Sequence, residues 1–329
     1  MSKQHSGFLF AAAFWAVALQ AQQPATQPAP QPTPQTQAGQ PAAGQANEAE
    51  APVIVSNTNE VNLIFTVTDK HGHYISNLRQ SDFALLDDRK APARITSFRQ
   101  QINLPLRVGI MIDTSTSIHT RFQFEQQAAN EFLLQVLKAK GDRAFVMGFD
   151  STPTVTQDWT SNLDGLESGI NRLRPGGATA LFDAVYIACR DKLMDASRGI
   201  EPVRKTIVLL SDGNDNQSRV YQDEAIKECQ RAETIIYSIS TNWTPSRNKG
   251  DDVLAQMAQE TGGQVFYPPS VEEVSNSFQK IEEELRSQYA LTYTPADFKY
   301  DGSFRPIYLY CNDRHYVART RKGYFSPKQ

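Results

Sequence analysis

The chain has 329 residues, room for one large domain or two small ones, and 33 Lys+Arg against 36 Asp+Glu leave a net charge of −3. That balance excludes a general electrostatic footprint for nucleic acid. Three cysteines and five histidines at scattered positions make neither a disulfide framework nor a structural zinc pattern, while 40% hydrophobic and 21% charged residues suit a globular protein.

Lys3 and His5 precede an apolar run over residues 8–19, with Ala16, Ala18 and Ala21 as small residues at and just past its end. A run of that length is too short for the roughly 20 residues of a membrane-spanning helix. Residues 1–21 therefore read as a secretory signal, which predicts export to the periplasm, the cell surface or the medium, with no integral span in the mature chain. No cysteine precedes Cys189, so a lipid-bearing cysteine at the cleavage point is not expected. Residues 22–52 hold eight Gln, eight Ala and seven Pro. With almost no large apolar side chain to offset ordering entropy, they read as an extended linker.

Val61, Leu63, Phe65 and Val67 alternate with Asn62, Ile64, Thr66 and Thr68, the pattern of a half-buried strand. Short strands are predicted at 83–86 and 95–98, and the same texture returns at 289–293, 307–310 and 316–320. Between these flanks the pattern changes. Apolar runs without alternation at 108–112, 144–149, 206–210, 234–239 and 264–267 predict strands buried on both faces. Amphipathic helices are predicted after residue 122, at 163–173, 181–194, 225–232, 253–261 and 271–285. Strands separated by helices define a three-layer, doubly wound α/β unit with a mostly parallel sheet. The expected division is an α/β unit at 103–286, inserted between two halves (53–102 and 287–329) of a small six-strand β-sandwich. The run Glu282–Glu284 is read as a solvated acidic helix face, and Cys189, Cys229 and Cys311 as isolated buried thiols, a single disulfide being the alternative.

Chemistry concentrates beyond the carboxyl ends of two predicted strands. The first runs into Asp113-Thr-Ser115-Thr-Ser117, the second into Ser211-Asp212-Gly213, and between them Gly176-Gly177-Ala178-Thr179 precedes a helix. Ligands of open α/β sheets bind in this crevice. Two carboxylates and three hydroxyls without His or Cys select a hard cation, magnesium or calcium rather than zinc or copper. An under-neutralised cation there would attract an external carboxylate. A phosphate cradle is the weaker reading, since two carboxylates repel phosphate and no Gly-x-x-x-x-Gly-Lys-Ser/Thr segment occurs. For any one residue, simple helix capping would suffice; the joint arrangement calls for more. Asp183 and Asp150 read as helix-start and turn residues, Asp215 and Asn216 as solvated, and His119 as exposed rather than a catalytic base.

These residues resemble the von Willebrand factor type A (VWA) family, whose signature is a metal-ion-dependent adhesion site; the likeness covers roughly residues 104–286. It implies Ser115, Ser117 and Thr179 as hydroxyl ligands, and Asp113 and Asp212 as carboxylates, of Mg²⁺, with Ca²⁺ or Mn²⁺ as alternatives. Thr116 and Ile118 stand where the family often has Gly and Met. Segments 67–72, 81–83, 288–291 and 321–325 are similar to the secreted group of VWFA-related acidobacterial domain proteins. The resemblance implies a non-enzymatic protein-binding module whose partner supplies Asp or Glu, with loops 114–121, 150–158, 174–180 and 212–220 setting specificity. An envelope scaffold with a structural metal, and a metal-assisted hydrolase, are the alternatives.

Overall fold

The computed structural model describes residues 59–100, 104–119, 122–196, 203–242, 246–270 and 273–328; the expected signal and linker lie outside them. The chain divides into compact units Met1–Val55 and Ser56–Gln329, and all that follows concerns the second. In chain order its strands and α-helices are β1 (Val61–Asp69), β2 (Phe83–Asp87), β3 (Arg94–Gln100), β4 (Leu106–Asp113), α1 (Phe122–Val136), β5 (Arg143–Phe149), β6 (Pro153–Thr160) and α2 (Leu163–Arg172). Then follow α3 (Leu181–Ile187), β7 (Arg204–Ser211), α4 (Gln222–Arg231), β8 (Thr234–Ser240), α5 (Lys249–Thr261), β9 (Val265–Phe266) and α6 (Val274–Arg286). The last four strands are β10 (Tyr289–Thr294), β11 (Phe304–Cys311), β12 (Tyr316–Thr320) and β13 (Gly323–Phe325).

The central sheet has the order β6-β5-β4-β7-β8-β9 and is parallel except for β6. Its middle strands are buried along their whole length on both faces, which is why β4 and β7 carry apolar runs without alternation. One face packs on α1, α2 and α6 through Phe132, Ile170 and Phe278, the other on α3, α4 and α5 through Val185, Ile226 and Leu254. The expected three-layer α/β architecture is present, with antiparallel sheets formed by the flanks.

The flanking strands make two sheets, β12-β1-β10-β3 and β13-β11-β2. They share one core, in which Phe65, Leu291 and Tyr293 from the first meet Leu85, Ile307 and Tyr324 from the second. Asp87 ties them together. It is 1% exposed, accepts from Tyr293 Oη (2.7 Å) and Tyr324 Oη (2.9 Å), and pairs with the buried Arg305 guanidinium at 2.6 Å. At the junction with the central unit, Arg204 donates both to Leu104 O (3.0 Å), before β4, and to Leu285 O, near the end of α6.

Several elements differ from the sequence expectation. Residues 150–158 were expected to form a loop, but Pro153–Thr160 form β6, antiparallel to β5; this edge strand carries Thr, Gln and Asp rather than an apolar run. A seventh flanking strand, β13, is only three residues long and lacks the length for periodicity. The predicted helix 181–194 is α3 continued by a π-helical turn, Ala188–Leu193. Cys189 and Cys229 are not separate thiols but form a disulfide joining that turn to α4, while Cys311 is free. Glu284 is not solvated: it is 0% exposed and accepts from Tyr237 Oη (2.9 Å), Tyr74 Oη (3.1 Å) and Gln264 Nε2 (2.9 Å), besides pairing with Arg319. Its partners lie 20 or more positions from it in the chain, outside the reach of helical periodicity.

Candidate metal centre

Strands β4 and β7 are adjacent and parallel, so the loops leaving their carboxyl ends start side by side. Asp113 closes β4. It is wholly buried, with Oδ1 accepting from Ser115 N (2.8 Å) and Oδ2 from Ser211 Oγ (2.7 Å). Ser211 in turn accepts from Gly213 N (3.0 Å), so one hydroxyl fixes the Asp113 carboxylate and the turn that carries Asp212. Ser115 Oγ and Ser117 Oγ lie 2.9 Å apart, and Ser117 Oγ donates to Asp212 Oδ2 at 3.1 Å. Hydrogen bonds thus run continuously through Asp113, Ser115, Ser117 and Asp212.

Thr179 reaches the group by another route. Its N–H donates to Asn216 Oδ1 (2.9 Å), and its carbonyl accepts from Asn216 N (3.0 Å) and Gln217 N (3.1 Å). The threonine loop is thereby tied to the loop carrying Asp212, with Thr179 buried at 4% exposure. Gly176 N donates to Thr114 O (2.6 Å) and Thr116 Oγ1 to Gly177 O (3.0 Å), joining it to the Asp113 loop as well. The two departures from the family pattern are accounted for here: Thr116 supplies that loop-to-loop bond, and Ile118 enters the core beside α1.

The supporting residues differ in part from expectation. Ser115 and Ser117 do not cap α1; Ser115 precedes and Ser117 lies within a single 3₁₀ turn, Thr116–Ile118, with no side-chain cap bond. Asp215 and Asn216 are engaged rather than solvated, Asp215 accepting from Phe182 N (3.0 Å) at the start of α3. Asp183 accepts from Arg219 N (2.9 Å) and Val220 N (3.0 Å), bracing the Asp212 loop from the other side. Asp150 is a turn residue, accepting from Thr152 N (3.1 Å), and His119 is exposed. Ser211 went unassigned in the sequence although it lies inside Ser-Asp-Gly; its position directly before Asp212, at a strand end, was the available signal.

The donor set fits a hard dication on two grounds. Octahedral magnesium with bonds of 2.0–2.1 Å places neighbouring ligand oxygens about 2.8–3.0 Å apart, close to the 2.9 and 3.1 Å separations along Ser115, Ser117 and Asp212. Second, burial raises the Asp113 carboxyl to about 6, against the lowering effect of its Ser115 and Ser211 bonds, with Asp212 adding to the rise. A buried carboxylate next to a second carboxylate, neither with an ion-pair partner among the described residues, is electrostatically unfavourable unless a cation joins them. Among the described residues no group of three or more His, Cys, Asp or Glu forms a separate metal cluster.

The von Willebrand factor type A domain model matches residues 108–214, which span β4 to the Asp212 loop. The chain therefore carries a von Willebrand factor type A domain. Similar solved structures include proximal thread matrix protein 1 of the mussel byssus, 18% identical over 57% of this chain with a TM-score of 0.46. The chain covers 50% of that protein's length. Others are the vWF domain of the type V pili tip protein Mfa5 from Porphyromonas gingivalis (14% identity, 56% of this chain, 96% of that chain, TM-score 0.46) and a von Willebrand factor type A structure from Catenulispora acidiphila (13% identity, 76% and 74%, TM-score 0.46). No curated protein sequence matches the chain.

Proposed function

We propose that the chain is an exported, non-enzymatic protein-binding module that holds a divalent cation, Mg²⁺ before Ca²⁺ or Mn²⁺, through Asp113, Ser115, Ser117, Thr179 and Asp212. The observation that supports this reading is the hydrogen-bonded line of oxygens from Ser115 through Ser117 to Asp212, at separations suited to neighbouring ligands of one ion, beside the buried Asp113 carboxylate that accepts from the Ser115 N–H. When bound, the cation supplies positive charge and an open coordination position to a partner's Asp or Glu carboxylate. The protein's own residues do the rest. Ser211 orients Asp113, Asn216 and Asp183 brace the loops, and the rigid sheet beneath keeps the oxygens in place.

A binding rather than hydrolytic reading is favoured because the serine hydroxyls are committed to one another and to Asp212, with no histidine paired to either among the described residues. Calorimetric titration of the full chain with Mg²⁺, Ca²⁺ and Mn²⁺ tests the site: one ion per chain is expected, lost in Asp113→Ala with circular dichroism unchanged. Absence of heat with all three ions would overturn it. Displayed peptides selected in Mg²⁺ and released by chelator should be enriched in Asp and Glu; enrichment without carboxylates would remove the partner reading alone.

A further inference from the structure

The loop that carries Asp212 ends in two side chains that stand in solvent, Arg219 and Tyr221. Tyr221 is 76% exposed, the most of any large apolar or aromatic residue among those described. Among the described residues the Arg219 guanidinium makes no hydrogen bond or ion pair, and the neighbouring acids are spent elsewhere. Asp183 accepts from the Arg219 and Val220 N–H groups, Asp215 from Phe182 N and Ser218 Oγ, and Asp223 pairs with Lys227. The backbone beneath the two side chains is fixed. Arg219 N and Val220 N share Asp183 Oδ1 (2.9 and 3.0 Å), and Tyr221 N donates to Glu224 Oε2 (3.0 Å). Exposure alternates across Arg219, half-buried Val220 and Tyr221, and Tyr221 is itself extended (φ −87°, ψ 159°). In such a segment side chains two apart share a side. Both stand beside the candidate cation site: Asp183 comes four residues after Thr179, and Asn216, three residues before Arg219, accepts from Thr179 N.

We infer that Arg219 and Tyr221 are a second contact point of the cation-dependent surface, fitted to a protein segment with two acidic side chains. One carboxylate completes the cation; the other pairs with the Arg219 guanidinium while the segment lies over the Tyr221 ring. The inference rests on the proposed function of the cation site and adds a signature for its partner. A guanidinium presents paired N–H donors in a rigid fork that matches a carboxylate. Arg and Tyr are the residue types that most often anchor interfaces, and anchors on an ordered backbone lose little freedom on binding. Charge is complementary at both points, and their fixed separation discriminates a segment with two suitably spaced acids from the many exposed single ones.

Random displayed peptides, selected on the full chain in Mg²⁺ and released by chelator, supply the probe. Peptides selected on the parent should carry two acidic positions at a constant spacing, and those selected on Arg219→Ala only one. The commonest parent-selected peptide should bind Arg219→Ala about 10–100-fold more weakly, the loss of a charge-assisted pair, and Tyr221→Ala about tenfold more weakly. Arg219→Lys, which keeps the charge without the fork, should fall between parent and Arg219→Ala. Two-acid enrichment persisting on Arg219→Ala, or peptide affinity unchanged in both alanine variants, would overturn the inference. Calorimetric titration with Mg²⁺ tells that failure from failure of the underlying reading. One ion bound by parent and variants alike leaves the cation site standing, whereas no uptake by the parent overturns both.

Discussion

Gly213 follows Asp212 in the left-handed region (φ +78°), and a Cβ there would lie 2.0 Å from the Gly250 carbonyl oxygen. The Asp212 loop thus rests backbone against backbone on the start of α5. Gly213→Ala should cost more than the roughly 1–2 kcal/mol of a left-handed residue alone, because the contact must also open. Urea unfolding should report the loss and calorimetry a weakened Mg²⁺ affinity. Asp297 offers a pH test in the flanking sheets. Hydrogen bonds from Lys90 and then Arg305 lower its carboxyl from 3.8 to about 2. A depressed carboxyl stabilises the fold above its unfolded value, and that contribution is lost as pH falls through the folded one. Unfolding followed between pH 4 and pH 2 should therefore show a steeper acid loss for the parent chain than for Asp297→Asn. Asp113, Ser115, Ser117, Thr179 and Asp212 were legible in the sequence because each sits at a strand or helix boundary whose residue types report locally. Asp87 was not: its partners Tyr293, Arg305 and Tyr324 are more than 200 positions away, and nothing near it in the chain announces them.

Among the elements, α6 owes its seat to Glu284 as much as to Phe278 and Ile281. The carboxylate gathers β8, through Tyr237, and β12, through Arg319, against the helix. Glu284→Leu leaves Arg319 with its charge unpaired and should cost about 3–5 kcal/mol, read as a lower urea midpoint. The Cys189–Cys229 bridge closes a loop of 40 residues between two helices on the same face of the sheet. Reduction should lower stability by about 2–4 kcal/mol, visible as a fall in melting temperature with a phosphine reductant and absent in a Cys189→Ala/Cys229→Ala double variant. Helical periodicity placed both cysteines on helices but could not pair them, since spacing carries no information about which helices neighbour one another. Strand β6 escaped for the opposite reason: its own residues, Thr154, Thr156 and Asp158 among them, read as a loop, and only pairing with β5 makes them a strand.

At the scale of the molecule, the doubly wound unit was readable because its buried parallel strands have a texture distinct from the alternating flanks. The closure of the flanks on each other was inferred from length and texture together, since each half is marginal by itself and both share the alternating pattern. Less expected is how the inserted unit is seated. Gln100, the last residue of β3, lies directly opposite Tyr289, the first of β10, as antiparallel partners. Everything between them leaves and re-enters one sheet at a single rung, in the place a tight reverse turn would occupy. Topologically the α/β unit is an overgrown hairpin tip. Chains in which Asn-Gly bridges Gln100 to Tyr289 would lose the α/β unit and keep an unbroken ladder, and other domains with closely spaced ends could be grafted onto the same two strands.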